Sequence, residues 1–394
     1  MAELKPGWRM VKFGEVVRLG KERCDPAADG IERYIGLEHI EPGNLRVRSW
    51  GDVSDGTTFT TRVRPGHVLF GKRRAYQRKV AVADFDAVCS GDIYVFESAN
   101  PAKLLPELLP FLCQTDAFFD YAVGTSAGSL SPRTNWTSLA EYQFALPPLE
   151  EQRRIAALLG AASQASAASA VASQLAGVTR KSFLASAFRP HRGSRDQYPS
   201  HWLVRIVDDV GEVQLGQKKD PSVHFGANMR QYLRVANVFD DEFDLSDVLS
   251  MHFADRDLPK YQLRDGDILL NEGQSPDLLG RSAIWREQVP NMYFQMTLLR
   301  FRAGPAVIPE FAHAFFQHML YTKQFANEAL QTTSIAHLSA SKFGRMPFPV
   351  PPLSEQRDFL LDYEGLRCAS VRSRARHRTL QKLKSTLAKE ALCQ

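Results

Sequence analysis

Short apolar runs, separated by polar and glycine-containing stretches, occupy most of the chain. They are rich in β-branched and aromatic residues, which strands favour, so they predict a set of strands in each half of the chain. The predicted strands of the first half are 67–71, 79–85 and 92–98, and those of the second half are 232–239, 267–273, 281–287 and 296–303. In each half the strands are followed by an apolar pattern that opens with prolines, at 104–124 and 308–330, and predicts a helix.

Two long stretches without proline interrupt this pattern. No proline occurs between Pro148 and Pro190 or after Pro352. Each stretch is long enough for a helix of roughly 40 residues, which measures about 60 Å at a rise of 1.5 Å per residue. The sequence Pro-Pro-Leu-x-Glu-Gln-Arg stands in front of both, at 147–153 and 351–357. Because the prolines prevent an earlier start and the glutamates suit the helix dipole, the motif predicts where each helix begins.

Apolar and small residues recur every seven positions in both predicted helices. The columns are Ile155, Ala162, Ser169, Ala176 and Phe183 with Leu158, Ala165, Ala172 and Thr179 in the first helix, and Leu366, Ser373, Leu380 and Leu387 with Ala369, Arg376 and Leu383 in the second. We expect the two helices to pack antiparallel and to hold the two halves of the chain apart. The alternative is two independent amphipathic helices, each lying on its own domain.

The two halves of the chain are diverged copies of one unit. Trp8 matches Trp202 at an offset of 194, and the run 64–70 (RPGHVLF) matches 264–270 (RDGDILL) at an offset of 200. The Pro-Pro-Leu motifs differ by 204. An offset that grows slowly along the chain is expected of a duplication with small loop insertions. The predicted domains are therefore 1–148, a central helix 149–190, 200–350 and a C-terminal helix 351–394. The predicted fold class is α/β (α+β).

Composition and charge narrow the class of protein. Apolar residues make up 44% of the 394 residues and charged residues 24%, as in globular proteins. The five cysteines contain no C-x-x-C pair, which argues for reduced thiols and against a zinc site. We expect a cytoplasmic location, because the N-terminus has no signal-peptide core and no apolar run approaches the roughly 20 residues of a membrane span. Residues 56–83 hold seven basic residues and no acidic one, which suits a polyanionic partner.

Sequence motifs of catalysis are missing. There is no phosphate-binding P-loop, no Asn/Asp-Pro-Pro-aromatic signature of an amino-methyltransferase, no H-E-x-x-H and no G-x-S-x-G. We therefore expect no catalytic residue and no metal ligand in this chain. Recognition of a nucleic acid is the stronger interpretation.

Four loops carry the candidate DNA-contacting residues, and we name them A1 (71–79), B1 (124–135), A2 (271–281) and B2 (331–342). Loop A1 places cations beside Tyr76 and Gln77, and these residue types suit phosphates and base edges. The candidates are Lys72, Arg73, Arg74, Tyr76, Gln77, Arg78 and Lys79 in A1; Ser129, Ser131, Arg133 and Asn135 in B1; Asn271, Gln274, Ser275 and Arg281 in A2; and Ser334 and His337 in B2. The alternatives are a solvated basic loop for A1 and turn capping for the Ser/Thr-rich loops. The acidic stretch 240–247 is expected to face solvent or a basic partner.

Two diverged α/β halves that alternate with two long helices, each introduced by Pro-Pro-Leu-x-Glu-Gln, resemble the specificity (S) subunit of Type I restriction–modification systems. Residues 64–96 and 264–285 are similar to the middle of that family's target recognition domain. The resemblance implies two pseudo-twofold-related recognition domains, each reading one half of a split, asymmetric site on double-stranded DNA. It also implies two antiparallel helices that form a coiled-coil-like spacer.

The resemblance further implies partners. Two methyltransferase (M) subunits, which bind S-adenosylmethionine, would dock on the helices, and restriction (R) subunits would join them. The S subunit itself would bind no cofactor and would be non-catalytic. A stand-alone or phage-type specificity protein is an alternative, and an enzyme that acts on a polyanion through an unrecognised site is another.

Overall fold

The computed structural model describes residues 4–189, 198–219, 228–331 and 335–392. The chain forms two compact units, one made of Met1–Val171 with Arg376–Gln394 and the other of Ala172–Ala375. Each unit therefore contains one α/β half of the chain together with parts of both long helices.

The first half contains ten strands and four short helices in front of the first long helix, among the residues described. The strands are β1 (Arg9–Lys12), β2 (Val17–Leu19), β3 (Arg33–Ile35), β4 (Gly51–Asp52), β5 (Thr61–Val63), β6 (Val68–Gly71), β7 (Val80–Val82), β8 (Ala87–Cys89), β9 (Ile93–Ser98) and β10 (Gln143–Leu146). The helices are α1 (Phe13–Val16), α2 (Leu109–Leu112), α3 (Asp116–Gly124), α4 (Trp136–Ala140) and the long α5 (Leu149–Ala187).

The described part of the second half contains fourteen strands and six helices. The strands are β11 (Leu203–Ile206), β12 (Gly211–Leu215), β13 (Met229–Leu233), β14 (Val238–Phe239), β15 (Glu242–Phe243), β16 (Leu249–His252), β17 (Ile268–Asn271), β18 (Gly273–Gln274), β19 (Ser282–Ile284), β20 (Tyr293–Phe294), β21 (Leu298–Ala303), β22 (Leu330–Gln331), β23 (Ala336–His337) and β24 (Pro347–Val350). The helices are α6 (Val207–Val210), α7 (Leu258–Tyr261), α8 (Pro309–Tyr321), α9 (Gln324–Glu328), α10 (Ala340–Gly344) and the long α11 (Leu353–Leu392).

The same four-stranded sheet forms the centre of each half. Its strand order is β2-β9-β6-β7 in the first half and β12-β21-β17-β19 in the second. The central strands β6 and β17 are buried throughout, so their side chains alternate between two cores. Val68 and Phe70 pack on the helices, whereas Leu69 packs on a second sheet, β4-β3-β8-β5. Leu270 and Leu269 divide in the same way in the second half. The internal duplication predicted from the sequence thus extends to the layering.

The proline-opened helical patterns are shorter and more broken than predicted. The pattern 104–124 forms α2 and α3, which are separated because Thr115 caps the second helix by accepting a hydrogen bond from the Phe118 amide (3.3 Å). The pattern 308–330 forms α8 and α9, and Lys323 between them has the left-handed φ of 61°. Apolar periodicity predicted both regions but not these local interruptions.

Both long helices begin directly after the Pro-Pro pairs, as predicted, and a buried glutamine fixes each start. Gln152 accepts a hydrogen bond from the Leu105 amide (2.7 Å) and donates to the carbonyls of Lys103 and Pro147 (2.9 Å each). Gln356 accepts from the Ile308 amide (2.8 Å) and donates to the carbonyls of Ala306 and Pro351 (2.9 Å each). The repeated Gln of the motif therefore joins each helix to its own α/β half.

The two helices run antiparallel within each unit. In the first unit, Ile155 and Leu159 near the start of α5 share a core with Leu392 at the end of α11. In the second unit, Phe188, just after the end of α5, packs against Phe359 near the start of α11, with the two rings tilted and their centroids 5.2 Å apart. The antiparallel packing that the sequence predicted is therefore confirmed.

The predicted heptad columns are half right. The columns headed by Ile155 and Leu366 are buried or half-buried, but their companions are exposed, including Leu158 and Leu383. The second buried column lies one residue further along each helix. It contains Leu159, Ser166 and Arg180 in α5, and Tyr363 and Ser370 in α11. Residues three or four positions apart lie on the same face of a helix. Leu158 and Leu159 follow Ile155 at these two spacings, so the sequence does not reveal which leucine is buried.

The acidic stretch 240–247 was expected to face solvent or a basic partner, and its first two residues meet arginines of the long helices of this chain. Asp241 lies 3.4 Å from the guanidinium of the buried Arg180 and accepts hydrogen bonds from Arg367 (3.1 Å). Asp240 accepts from Arg374 (3.3 Å). This ionic cluster attaches the second α/β half to the helices within its own unit.

One described helix, α5, has the length and composition that a membrane span would need, and only 28% of its most apolar stretch is buried. The expectation that no apolar run approaches that length was therefore too strong. Length and composition alone are weak evidence for a membrane span, because buried core helices of soluble proteins meet the same criteria. The absence of a membrane partner stays a prediction.

Candidate nucleic-acid interface

Loop A1 leaves the central sheet after β6 and is fixed by backbone hydrogen bonds on both sides. The Lys72 amide donates to the Asp92 carbonyl in front of β9 (3.0 Å), and the Lys72 carbonyl accepts from the Thr134 amide in loop B1 (3.0 Å). A short 3-10 helix at 75–77 follows, with Arg74 and Arg78 in left-handed conformations on either side. Such conformations are uncommon for residues other than glycine, so the loop has a defined shape.

The last part of loop B1, residues 131–134, pairs with the first part of loop A1, residues 72–74. Arg73 and Arg133 form an antiparallel bridge, and the Arg74 amide donates to the Pro132 carbonyl (2.7 Å). The Ser131 hydroxyl accepts from the guanidinium groups of Arg73 (3.1 Å) and Arg74 (3.2 Å). The structure thus joins two loops that the sequence analysis had treated separately.

Asp92 links the cations of the two loops. Its carboxylate receives hydrogen bonds from Nη1 of Arg73 (3.3 Å) and Nε of Arg133 (2.9 Å). Burial raises the pKa of Asp92, but the hydrogen bonds and charges of Arg133 and Arg73 outweigh burial and leave this pKa lowered. The carboxylate is therefore ionised at neutral pH.

The other predicted residues of the first half differ in availability. Tyr76 is 55% exposed, Ser129 is exposed and Gln77 is half-buried. Arg78 pairs with Asp116 (2.6 Å), and Lys79 donates to the Leu37 carbonyl (2.6 Å). These last two cations are thus partly engaged within the domain.

Asn135 caps a helix, which is the alternative considered for the Ser/Thr-rich loops. Its side chain accepts a hydrogen bond from the Ser138 amide (2.7 Å) at the start of α4. Ser339 does the same at the start of α10, where it accepts from the Lys342 amide (3.3 Å). A structural role accounts for both side chains.

Two further residues were missed by the sequence analysis. Asp92 stands in a Ser-Gly-Asp turn, which carries no signal beyond its turn chemistry. Leu130 is 90% exposed at the tip of loop B1. A single leucine between two serines in a polar loop was a signal that could have identified it, because an exposed apolar side chain can wedge between bases.

The second half has the same arrangement of backbone. The Glu272 amide donates to the Thr297 carbonyl (3.0 Å), the Glu272 carbonyl accepts from Leu338 (2.8 Å), and Gly273 pairs with His337 between β18 and β23. Lys72, Asp92 and Arg133 of the first half thus correspond to Glu272, Thr297 and His337. We call this shared arrangement the loop frame.

The side chains on the second loop frame are different. His337 is paired with Glu272, with Nδ1 3.3 Å from the carboxylate. Gln274 accepts a hydrogen bond from the amide of the half-buried Ser275 (3.0 Å). Arg281 lies over the Phe239 ring, 4.6 Å from its centroid, and burial lowers its pKa. Cations therefore dominate the first frame but not the second.

Two predicted residues of the second half need comment. Asn271 was expected to contact DNA, but it is fully buried and its side chain donates to the Val238 carbonyl at 3.5 Å. That expectation is wrong for this conformation, because the last residue of β17 points into the core. Ser334 lies outside the described residues.

The comparisons with known proteins agree with this geometry. Residues 5–168 match the family model of the Type I restriction modification DNA specificity domain. The match covers the first α/β half of the chain and ends within the long helix α5. The predicted resemblance to specificity subunits is thereby confirmed.

Two curated relatives support the assignment. The Type I restriction enzyme EcoDI specificity subunit of Escherichia coli is 28% identical over 150 residues, which are 38% of this chain and 33% of that protein. The putative type I restriction enzyme MjaX specificity subunit of Methanocaldococcus jannaschii is 24% identical over 180 residues, 43% of this chain and 41% of that protein. The chain thus spans a third to two fifths of the length of these relatives.

Solved structures extend the similarity of fold to the second half. The Type I restriction–modification S subunit from M. genitalium aligns with 100% of this chain over 98% of its own length. The TM-score is 0.64 and the sequence identity is 12%. A chain from a study of the assembly and conformational transition of the type I system covers 99% of both chains, at a TM-score of 0.52 and 20% identity. The mixed fold class predicted from the sequence, with two α/β halves and two long antiparallel helices, is confirmed.

Within the ranges that the structure describes, no three His, Cys, Asp or Glu side chains are grouped so that they could hold a metal ion. Within each loop frame, the acidic side chain contacts a basic side chain of the same frame instead. The arrangement suits recognition by hydrogen bonds and charge.

Proposed function

We propose that this protein is the DNA-binding specificity subunit of a Type I restriction–modification complex, and that each recognition half reads one part of a bipartite, asymmetric site on double-stranded DNA. The observation that carries the proposal is the repeated loop frame with different side chains. A common backbone would present the loops to DNA in the same manner in both halves. Because Arg133 is replaced by His337 and Lys72 by Glu272, the two halves would read different bases.

The partners follow from the same assignment. Two methyltransferase subunits would dock on the chain and receive their target from it, and restriction subunits would join them. The chain would contribute binding and no catalytic group, and S-adenosylmethionine would bind to the methyltransferase. The expected location is the cytoplasm. The names of the curated relatives, which are both specificity subunits, support this proposal.

The first loop frame would supply most of the charge-dependent affinity. Arg73 and Arg74 lie together at Ser131, and Lys72 is adjacent to them, 4.7 Å from the Tyr94 ring. Each phosphate that a cation neutralises contributes about −0.9 to the slope of log affinity against log salt concentration. The second loop frame places Glu272 and Asp277 in the corresponding loop and would contribute less to this slope.

The test is to sequence the methylated bases of the host genome with and without this gene. We expect one split adenine-methylation motif to disappear with the gene and to return on complementation. Complementation with a chain in which residues 1–150 come from another specificity subunit should change only one half of the motif. An unchanged methylome, or an isolated chain that modifies or cleaves DNA without a partner, would contradict the proposal.

A further inference from the structure

Each loop frame contains a carboxylate that contacts a basic side chain of its B loop. In the first half Asp92 binds Arg133 at 2.9 Å, and in the second half Glu272 lies 3.3 Å from His337. The two carboxylates are equally accessible, each with 21% of its side chain exposed.

The two carboxylates occupy different positions of the frame. Asp92 precedes β9, where the second half has Thr297, whereas Glu272 follows β17, where the first half has Lys72. The carboxylate therefore lies next to a different strand in each half, but it contacts the same position of the B loop in both. If each carboxylate only stabilised its own turn, the two would not be expected to contact the same position of the B loop from different places in the frame.

Asp92 leaves one edge of Arg133 available. Nε of Arg133 donates to Asp92, and among the described residues neither terminal nitrogen of this guanidinium makes a hydrogen bond. The side chain is 51% exposed. Arg73 differs, since its two terminal nitrogens already bind Asp92 and Ser131. A guanidinium that is fixed at Nε offers two parallel N–H groups, which match O6 and N7 of guanine.

His337 is held in a comparable way. Nδ1 faces Glu272, so Nε2 remains for a base edge. Its ring lies against Gly273, and a Cβ added there would be 2.9 Å from Cε1 and 3.0 Å from Nδ1 of the ring. Glycine at this position is thus required for the observed ring position.

We propose that Asp92 orients Arg133 to read a guanine in the first half-site, and that Glu272 orients His337 in the corresponding place of the second half-site. This inference rests on the proposed DNA-binding function. Asp92 and Glu272 are positioning residues, because they act through the side chains that touch the bases. As carboxylates near DNA they also repel phosphate, so their removal has opposite effects on specific and non-specific binding.

The experiment uses the full chain assembled with its methyltransferase subunits and selects binding sites from random double-stranded DNA. Asp92→Asn and Arg133→Lys should lose the guanine preference at one position of the first half-site and leave the second half-site unchanged. Affinity for the wild-type site should fall about 10- to 100-fold, which is typical of one lost bidentate base contact. Affinity for unrelated DNA should stay the same or rise for Asp92→Asn. Asp92→Glu should recover part of the preference.

The second half provides matched variants. Glu272→Gln and Gly273→Ala should change only the second half-site, because the alanine methyl displaces the flexible His337 ring and not the backbone. Arg153→Ala is the control, since this exposed arginine pairs with Glu150 on α5 and should leave both half-sites unchanged.

The outcomes separate the two proposals. A wild-type complex that selects no sequence would refute the proposed function itself. If the wild-type complex selects a defined site, but the half-site altered by Arg133→Lys contains no guanine, only the present inference is refuted. The same holds if Asp92→Asn selects the wild-type motif with unchanged affinity, or if it loses specific and non-specific binding together with thermal stability, because that result indicates a purely structural role.

Discussion

The buried glutamines at the starts of the long helices allow a quantitative prediction. Replacing Gln152 with methionine keeps the length of the side chain but removes three hydrogen bonds. The Leu105 amide and two carbonyls would then lack this partner in the interior. An unsatisfied buried group costs about 1–3 kcal/mol. Allowing for the apolar methionine and partial relaxation, we expect the free energy of unfolding to fall by about 3 kcal/mol.

The second copy provides the internal comparison. Gln356 makes the same three contacts within 0.1 Å, so Gln356→Met should cost the same to within about 1 kcal/mol. For units of this size, 3 kcal/mol corresponds to a decrease in melting temperature of roughly 6–12 °C. Hydrogen exchange followed by mass spectrometry would locate the effect, with faster exchange at Leu105 in one variant and at Ile308 in the other.

The control is Arg153→Ala, one residue after Gln152, which is exposed and should change stability by less than about 0.5 kcal/mol. A loss below about 1 kcal/mol in both glutamine variants would refute the reasoning. It would mean that water or backbone movement replaces these hydrogen bonds at little cost.

Two further predictions concern the second unit. Asp241→Ala leaves the buried Arg180 without its nearest carboxylate and should lower the free energy of unfolding by about 3–5 kcal/mol in denaturant titration. Asp247→Ala removes one partner of an exposed ion pair and should lower it by less than about 1 kcal/mol. Equal effects of the two variants would show that burial of the ion pair is unimportant. Burial lowers the pKa of His318 to about 4, so between pH 4 and the unfolded pKa of about 6.5 the unfolded state binds a proton that the native state does not. Its contribution to stability is complete above about pH 6.5 and is lost as the pH falls toward 4, by at most about 1.4 kcal/mol per pH unit. His318→Gln should therefore flatten the acid side of the pH–stability curve, and identical curves would contradict this.

Much of the architecture could be predicted because it is encoded locally. The Pro-Pro pairs mark the helix starts wherever they occur, since proline excludes the preceding residues from a helix. Runs such as 67–71 and 267–273 form the central strands because they are short, apolar and rich in branched or aromatic residues. Repetition strengthened each of these predictions, as two independent copies pointed to the same element.

The candidate site was predicted less completely. Loops A1 and B1 were identified from their composition, but their pairing through Arg73 and Arg133 links residues 60 positions apart. Asn271 was misjudged because β17 extends as far as this residue and is buried on both faces. The helix columns were displaced by one residue because Leu158 and Leu159 are chemically identical.

The sequence by itself determined the duplication, the class of fold, the starts of the long helices and the loops that differ between the halves. These properties depend on the spacing and chemistry of neighbouring residues. The tertiary structure decided which charged groups meet. Asp92 and Glu272 hold equivalent side chains from different strands, and Asp240 and Asp241 are neutralised by arginines more than 60 positions away along the chain. Such contacts depend on how strands and helices pack, and an electrostatic partner distant in sequence leaves no periodic signal in the chain.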